Sequence, residues 1–359
     1  MPLTTTTIGA FPKPKSTPVQ DWFLGSKSDE EKKASKGLLA NWLPGAYEKA
    51  LEEAGENAEK LFLQAIEEVV TDQVNAGIDV PTDGEVRRES YVLYQCRFLN
   101  GISFKEVTHK SVRQGAFEAD LPTIIGPISS KEVRLHHDWK SAQQFTKKPL
   151  KITLPGPMTI TDSIANNYYD DLKKLGFDFA MALNKEVKAL VDAGCQYIQV
   201  DEPVFARKPE QAIDYGMENL ERTMHGIPKE VQRVCHICCG YPNSLDSEGY
   251  KKADLDAYDR IADLVDQSSI DEVSLEDSHR HNDLSLLEKF EKTKVIFGVI
   301  DIARSRMEDV EEVRSRILDA LNHIDENRLI AAPDCGLGFF SREQAIEKMS
   351  ILSKAAKSI

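Results

Sequence analysis

The stretch FDFAMALNKEVKALVDAGCQYIQVDEP, Phe177 to Pro203, decides the fold. Phe179, Met181, Leu183, Val187, Leu190 and Val191 recur at helical spacing, with charged residues between them. Gly194 then supplies a helix stop, since glycine closes a last turn in the left-handed region without a Cβ clash. Just beyond it, Tyr197–Asp201 reads as a short strand buried on both faces. Helix, glycine, buried strand is the repeating unit of an α/β fold.

Working outward, the same unit recurs. Ala58–Gly77 carries Leu61, Leu63, Ile66, Val69, Val70 and Val74 at helical spacing and runs through Gly77 into Ile78–Asp83. Further amphipathic stretches are Asp256–Gln267, Leu284–Lys292, Val310–Ile324 and Arg342–Ala356. Strand-like runs are Thr5–Gly9, Ile78–Asp83, Leu150–Leu154, Tyr197–Asp201, Arg233–Cys238, Glu272–Glu276, Val295–Asp301 and Leu329–Pro333, eight in all. Eight β–α units with right-handed crossovers predict a (β/α)8 TIM barrel. The rival, an open doubly wound sheet, lacks its Gly-x-Gly-x-x-Gly fingerprint after the first strand. Two segments exceed the repeat. Phe11–Asn57 holds Trp22, Trp42 and several prolines, and residues 86–149 include a strand-like piece at Leu121–Ile128. Both are expected as long insertions in the first and second βα loops of a single domain, 1–359, where such folds place binding functions.

The formal net charge is −14 and the pI about 5.2, so there is no electrostatic footprint for nucleic acid or an anionic membrane. The start has no signal-peptide pattern and no apolar run approaches a bilayer span, which leaves a cytoplasmic protein as the expectation. Six cysteines in 359 residues are too sparse for a disulfide scaffold. Three of them, Cys235, Cys238 and Cys239, crowd around His236, which points to metal or thiol chemistry.

Along a strand alternate side chains point the same way, so His236 and Cys238 project together from one strand end. Imidazole and thiolate are ligands zinc prefers. Alone the pair is weak, because buried cysteine and hydrogen-bonded histidine are common. Two further strand ends strengthen it: Val273-Ser274-Leu275-Glu276 delivers a carboxylate and Ala332-Pro333-Asp334-Cys335 a thiol. Singly, Glu276 could cap a helix and Cys335 could be a small buried hydrophobe. In a barrel all C-terminal strand ends meet at one face, where the four could converge as an N, S, O, S set for Zn2+.

These segments closely resemble the C-terminal catalytic half of cobalamin-independent methionine synthases over essentially the whole chain. The matching pieces are Thr6–Pro12, Asp83-Gly84-Glu85, Pro155–Ile160, Ile198–Pro203, His236-Ile237-Cys238, Ser274-Leu275-Glu276 and Pro333–Leu337. The resemblance implies a zinc-dependent methyl transfer to homocysteine sulfur. It implies His236, Cys238, Glu276 and Cys335 as zinc ligands. Glu85 and Asp201 would hold the substrate's amino group, and the backbone of Ile8, Gly9 and Ala10 its carboxylate. Glu276 and Asp201 are the residues expected to serve catalysis directly, Glu276 by loosening from the metal as the thiol binds.

Three departures from the family stand out, one at a serine hydroxyl that could contact the substrate and two on the side of the methyl donor. Ala10 stands where the family usually has Ser, Ser163 where a tryptophan stacks on the pterin, and Ala303 where a histidine is thought to protonate folate. The folate-binding N-terminal barrel of the full-length synthases has no counterpart in these residues. The expected donor is therefore not polyglutamyl folate but a corrinoid protein or another source. The alternative is a zinc alkyltransferase or lyase for another thiol such as coenzyme M; a non-catalytic thiol- or metal-binding protein is a third reading. Because coenzyme M has no amine, Glu85 and Asp201 favour homocysteine. His279, Arg280 and His281 follow Glu276 as either a solvated loop or a source of an acid or a cation near the metal. Tyr91, Tyr94, Tyr168 and Tyr169 either line the pocket or pack.

Overall fold

The computed structural model describes residues 2–21, 44–112, 117–242 and 244–359; Trp22 and Trp42 lie outside them. The fold is mixed α/β. Its centre is a parallel ladder of six strands, which takes its numbering from an insertion that precedes it. In that insertion β1 (Leu99–Val112) and β2 (Phe117–Ser130) pair antiparallel. The ladder itself then runs β3 (Lys151–Pro155), β5 (Tyr197–Asp201), β6 (Gln232–Ile237), β7 (Glu272–Leu275), β8 (Lys294–Ile300) and β9 (Leu329–Pro333), each parallel to the next. The remaining strand, β4 (Ala165–Asn166), pairs parallel with β2 and completes a separate three-stranded sheet.

β3 and β9 are buried at every position, β3 including its Lys151 and Thr153. The connections carry the expected helices. Leu172–Asp192 buries Leu175, Phe179, Leu183, Val187 and Leu190 along one stripe. It starts earlier than its apolar pattern implied because Asp171 caps it, accepting from the Lys173 N–H. Ala58–Asn75, Ala257–Gln267, Val310–Ala320 and Arg342–Lys357 match their sequence patterns to within a few residues. The expected helix Leu284–Lys292 is instead a short 3-10 segment, Leu284–Lys289.

Where eight strands were expected, the continuous ladder has six. The first two candidates, Thr5–Gly9 and Ile78–Asp83, contribute only isolated parallel bridges: Thr5 to Ala331, Thr6 to Val80 and Thr82 to Lys151. The cause is local chemistry. Threonine hydroxyls take partners that an extended ladder would leave to the backbone: Thr6 Oγ1 donates to Val80 O (2.7 Å) and Thr82 Oγ1 to Gly9 O (2.8 Å). The bridges nevertheless link β9 through residues 5–6 and 80–82 to β3. The insertion held more structure than Leu121–Ile128 suggested. β1 went unseen because register shifts between Asn100 and Ile102, and between Ser103 and Val107, break its two-residue alternation.

Candidate metal centre and adjoining cavity

The site sits at the C-terminal ends of the ladder. In register, Asp201 lies beside His236, and His236 beside Ser274. That adjacency orients the imidazole: His236 Nδ1 is 3.0 Å from Ser274 Oγ, which turns Nε2 toward Cys335 Sγ at 3.4 Å. The ring is 3% exposed, and burial pushes its pKa down to about 4, so it is neutral with a lone pair to give. Cys238 follows β6; its sulfur accepts the Gly240 N–H at 3.3 Å and lies 2.9 Å from Glu276 Oε1. A hydrogen bond from the Cys335 thiol pulls the Cys238 pKa down to about 5, and the same contact pushes Cys335 up.

Among the described residues, His236, Cys238 and Cys335 form a group whose ligand atoms all lie within 4.8 Å of one another. Glu276, the expected fourth member, is outside that mutual set. It touches Cys238, while its second oxygen accepts from Lys252 Nζ at 2.8 Å, with both side chains buried. Burial raises the Glu276 pKa to about 8. Lys252 was not singled out from the sequence: it lies on an irregular connection after β6, which has no periodicity to flag it. Ser274 was legible in principle, since it shares the face of β7 that carries Glu276.

A cavity of about 120 Å³ adjoins the three donors. Ile8, Gly9, Ala10, Glu85 and Asp201 all line it, together with His236, Cys238 and Cys335; Glu276 does not. Both acids are buried, and burial raises both pKa values, that of Asp201 strongly. Asp201 accepts from Gln199 Nε2 at 2.7 Å and Glu85 from Thr153 Oγ1 at 2.8 Å. Neighbouring arginines serve these acids in part, since Arg88 pairs with Glu85. Arg87 binds Glu59 at 2.6 Å, and Arg88 is 3.3 Å from Asp83 but 3.8 Å from Glu85. Glu85 adopts a left-handed backbone, φ 57°, beside Gly84 at φ 66°, and Asp83 Oδ1 accepts its N–H. A Cβ on Gly9 would meet Glu85 Oε1 at 2.6 Å, so glycine is needed there to leave the carboxylate in place.

The Asp201-Glu202 pair divides its work. Asp201 faces the cavity, while Glu202 accepts the N–H groups of Met158 (3.0 Å) and Thr159 (2.9 Å) and fixes the Pro157–Ser163 helix. Of the aromatics, Tyr91 lines the cavity, with Tyr241 and Arg207 as further walls, whereas Tyr94 is buried with its hydroxyl on Asp138. Tyr169 bonds Asp178, and Tyr168 is exposed. His279 Nδ1 lies 3.1 Å from Tyr250 OH and 3.4 Å from Asp301 Oδ1. Arg280 caps Ala253 and Asp254 carbonyls, and His281 is a surface partner of Asp277.

The model of the cobalamin-independent synthase catalytic domain matches residues 45–358. This chain belongs to the cobalamin-independent methionine synthase family. A methionine synthase of Saccharolobus solfataricus is 29% identical over 363 aligned residues, 99% of this chain and 95% of that protein. One from Saccharolobus islandicus strain Y.G.57.14 is 30% identical with the same coverage. Among solved structures, a B12-independent methionine synthase from Shewanella sp. W3-18-1, in complex with selenomethionine, superposes with a TM-score of 0.83 at 30% identity, covering 100% of this chain and 98% of that one. The family member described here is a methyltransferase enzyme. None of its described helices is long and apolar enough to cross a membrane.

Proposed function

We propose that this protein transfers a methyl group to the thiol of homocysteine, forming methionine, at a zinc ion held by His236, Cys238, Cys335 and Glu276. One observation carries the reading: a small cavity is lined by an imidazole and two thiols together with the buried carboxylates of Glu85 and Asp201, of which Glu85 also pairs with Arg88 at 3.8 Å. Two sulfurs and a nitrogen within 4.8 Å of one another suit zinc by ligand type and spacing. Bound there, zinc would supply the charge that keeps a thiol as its nucleophilic thiolate.

The protein's own groups prepare for this. Glu85 and Asp201 are placed to take the ammonium group of the amino acid, and the backbone of Ile8, Gly9 and Ala10 its carboxylate. Glu276, the hardest donor of the four that would hold zinc, stands outside the cavity with Lys252 on its second oxygen, so the carboxylate would keep a partner if it were displaced. We read the ladder and its three bridges as a (β/α)8 barrel whose first two strands are reduced to bridges, in one domain with an insertion at 86–149. The site then lies where such barrels keep their chemistry. The Shewanella relative is in complex with selenomethionine, an analogue of the proposed product, which supports this reading.

The donor side differs. Ala303 is buried and has no proton to give, and Ser163 offers no aromatic face. We infer a corrinoid or another non-folate donor, a reading these two residues support. The test is rescue of a methionine auxotroph, together with assays of zinc-loaded protein and methylcobalamin against homocysteine or coenzyme M. Methionine formation is expected; methylation of coenzyme M alone would overturn the assignment of the thiol.

A further inference from the structure

A second cavity, of about 200 Å³, opens at the opposite, N-terminal ends of the strands. Lys151 of β3, Tyr197 of β5, Glu272 of β7 and Lys294 of β8 line it. Register explains their meeting: Lys151 pairs with Tyr197, and Glu272 with Lys294. Lys151 is 1% exposed and its Nζ has no hydrogen-bond partner among the described residues. Glu272 is 3% exposed, and its ion pair with Lys294 stretches to 4.0 Å. Glu272 and Asp201 act on the ammonium only through their charge, and a buried ammonium without a hydrogen-bond partner is costly; folds retain such groups where something else satisfies them. Burial accordingly pulls the Lys151 pKa down to about 8.

The methyl-transfer reading uses none of these groups. Opposite charges share the cavity: a simple anion would face Glu272, and a simple cation would face Lys151. A molecule with both charges satisfies both walls. We propose that this cavity binds a small zwitterion, an amino acid whose carboxylate meets Lys151 and whose ammonium group meets Glu272.

Calorimetry and thermal unfolding of the zinc-loaded protein test this with glycine as probe and acetate and methylammonium as its two halves. Because glycine could also enter the upper cavity, the measurements are made in parallel on Asp201→Asn. At a tenfold excess over its Kd, glycine should raise the melting temperature by about 1–2 °C in both proteins. Acetate and methylammonium should each do less. Lys151→Met should weaken glycine binding at least about tenfold, as should Glu272→Gln. If Glu272→Gln does not fold, Lys151→Met decides alone, since methionine keeps the packing of the stem and removes only the charge. No response to glycine, acetate binding as well as glycine, or binding that survives Lys151→Met overturns the proposal.

Discussion

The two ends of the same short strands carry opposite kinds of chemistry. β7 places Glu272 in the lower cavity, Ser274 against the His236 ring and Glu276 beside Cys238. β3 places Lys151 below, and Thr153 two residues on bonds both Arg88 and Glu85. Between the cavities lies a small apolar cluster of Ile8, Val234, Ile296, Ile330 and Ala332, with Ile8 lining the upper cavity and Ile330 the lower. A two-residue period therefore writes two sites on one face of one strand. They differ in how far the protein satisfies its own groups. Above, each prospective metal ligand already touches another polar group. Below, Lys151 has none.

The strongest break in that contrast is removal of a donor. Cys335→Ala should leave the fold intact but lose tightly held zinc on dialysis, with activity down by about 1,000-fold or more. Metal analysis of the purified variant checks the first, and methionine formation the second.

Asp201→Asn comes next. It should raise the KM for homocysteine by roughly 10- to 100-fold, the worth of one charge-assisted hydrogen bond, while zinc content stays unchanged. It should also stabilise the metal-free protein in a pH-dependent way. The folded-state pKa of Asp201 is raised well above its ordinary 3.8, so this carboxyl favours folding below pH 3.8 and that contribution fades as pH rises through the folded value. The melting temperatures of Asn variant and parent should therefore coincide in acid and diverge toward neutrality.

Lys252→Met probes the carboxylate's second partner. Without the ammonium group, Glu276 should grip the metal harder, slowing zinc loss to a chelator by about tenfold while turnover drops. Faster zinc loss would mean that Lys252 instead holds the carboxylate in place for the metal.

The smallest effect belongs to the lower end. Lys151→Met should raise the melting temperature by about 2 °C without altering kcat. The folded pKa of about 8 lies below the ordinary 10.5, so the penalty of the buried ammonium is complete below pH 8 and gone above 10.5. The advantage of methionine should shrink across that interval.

Much of the upper site was legible because its residues sit at strand ends, and strand ends are marked by abrupt changes in polarity. β9 was placed residue for residue as Leu329–Pro333, with Cys335 just beyond. Alternation put His236 and Cys238 on one side of their strand, and the strand ends at Glu276 and Cys335, with the family resemblance, gave the pair its weight. Glu276 was found but not its entanglement with Lys252, because a contact between a strand end and an irregular loop leaves no periodic trace. The first two strands were overread: Thr5, Thr6 and Thr82 have strand propensity, yet the hydroxyls of Thr6 and Thr82 take backbone carbonyls and that of Thr5 takes the Asp79 carboxylate. Lys151 sits inside the expected strand Leu150–Leu154 without drawing notice, since nothing in its neighbours announces that it is 1% exposed.

Asp334, next to Cys335, carries a consequence of its own. Its carboxylate accepts the N–H groups of Asp277 and Ser278 at 2.9 Å and of His279 at 2.7 Å, stitching the chain after β7 to the chain after β9. Three successive amides can then swap hydrogen for deuterium only when both segments part together. Their exchange rates in the metal-free protein would clock how often the centre falls open, giving a lifetime for the empty site that no assay of turnover can read.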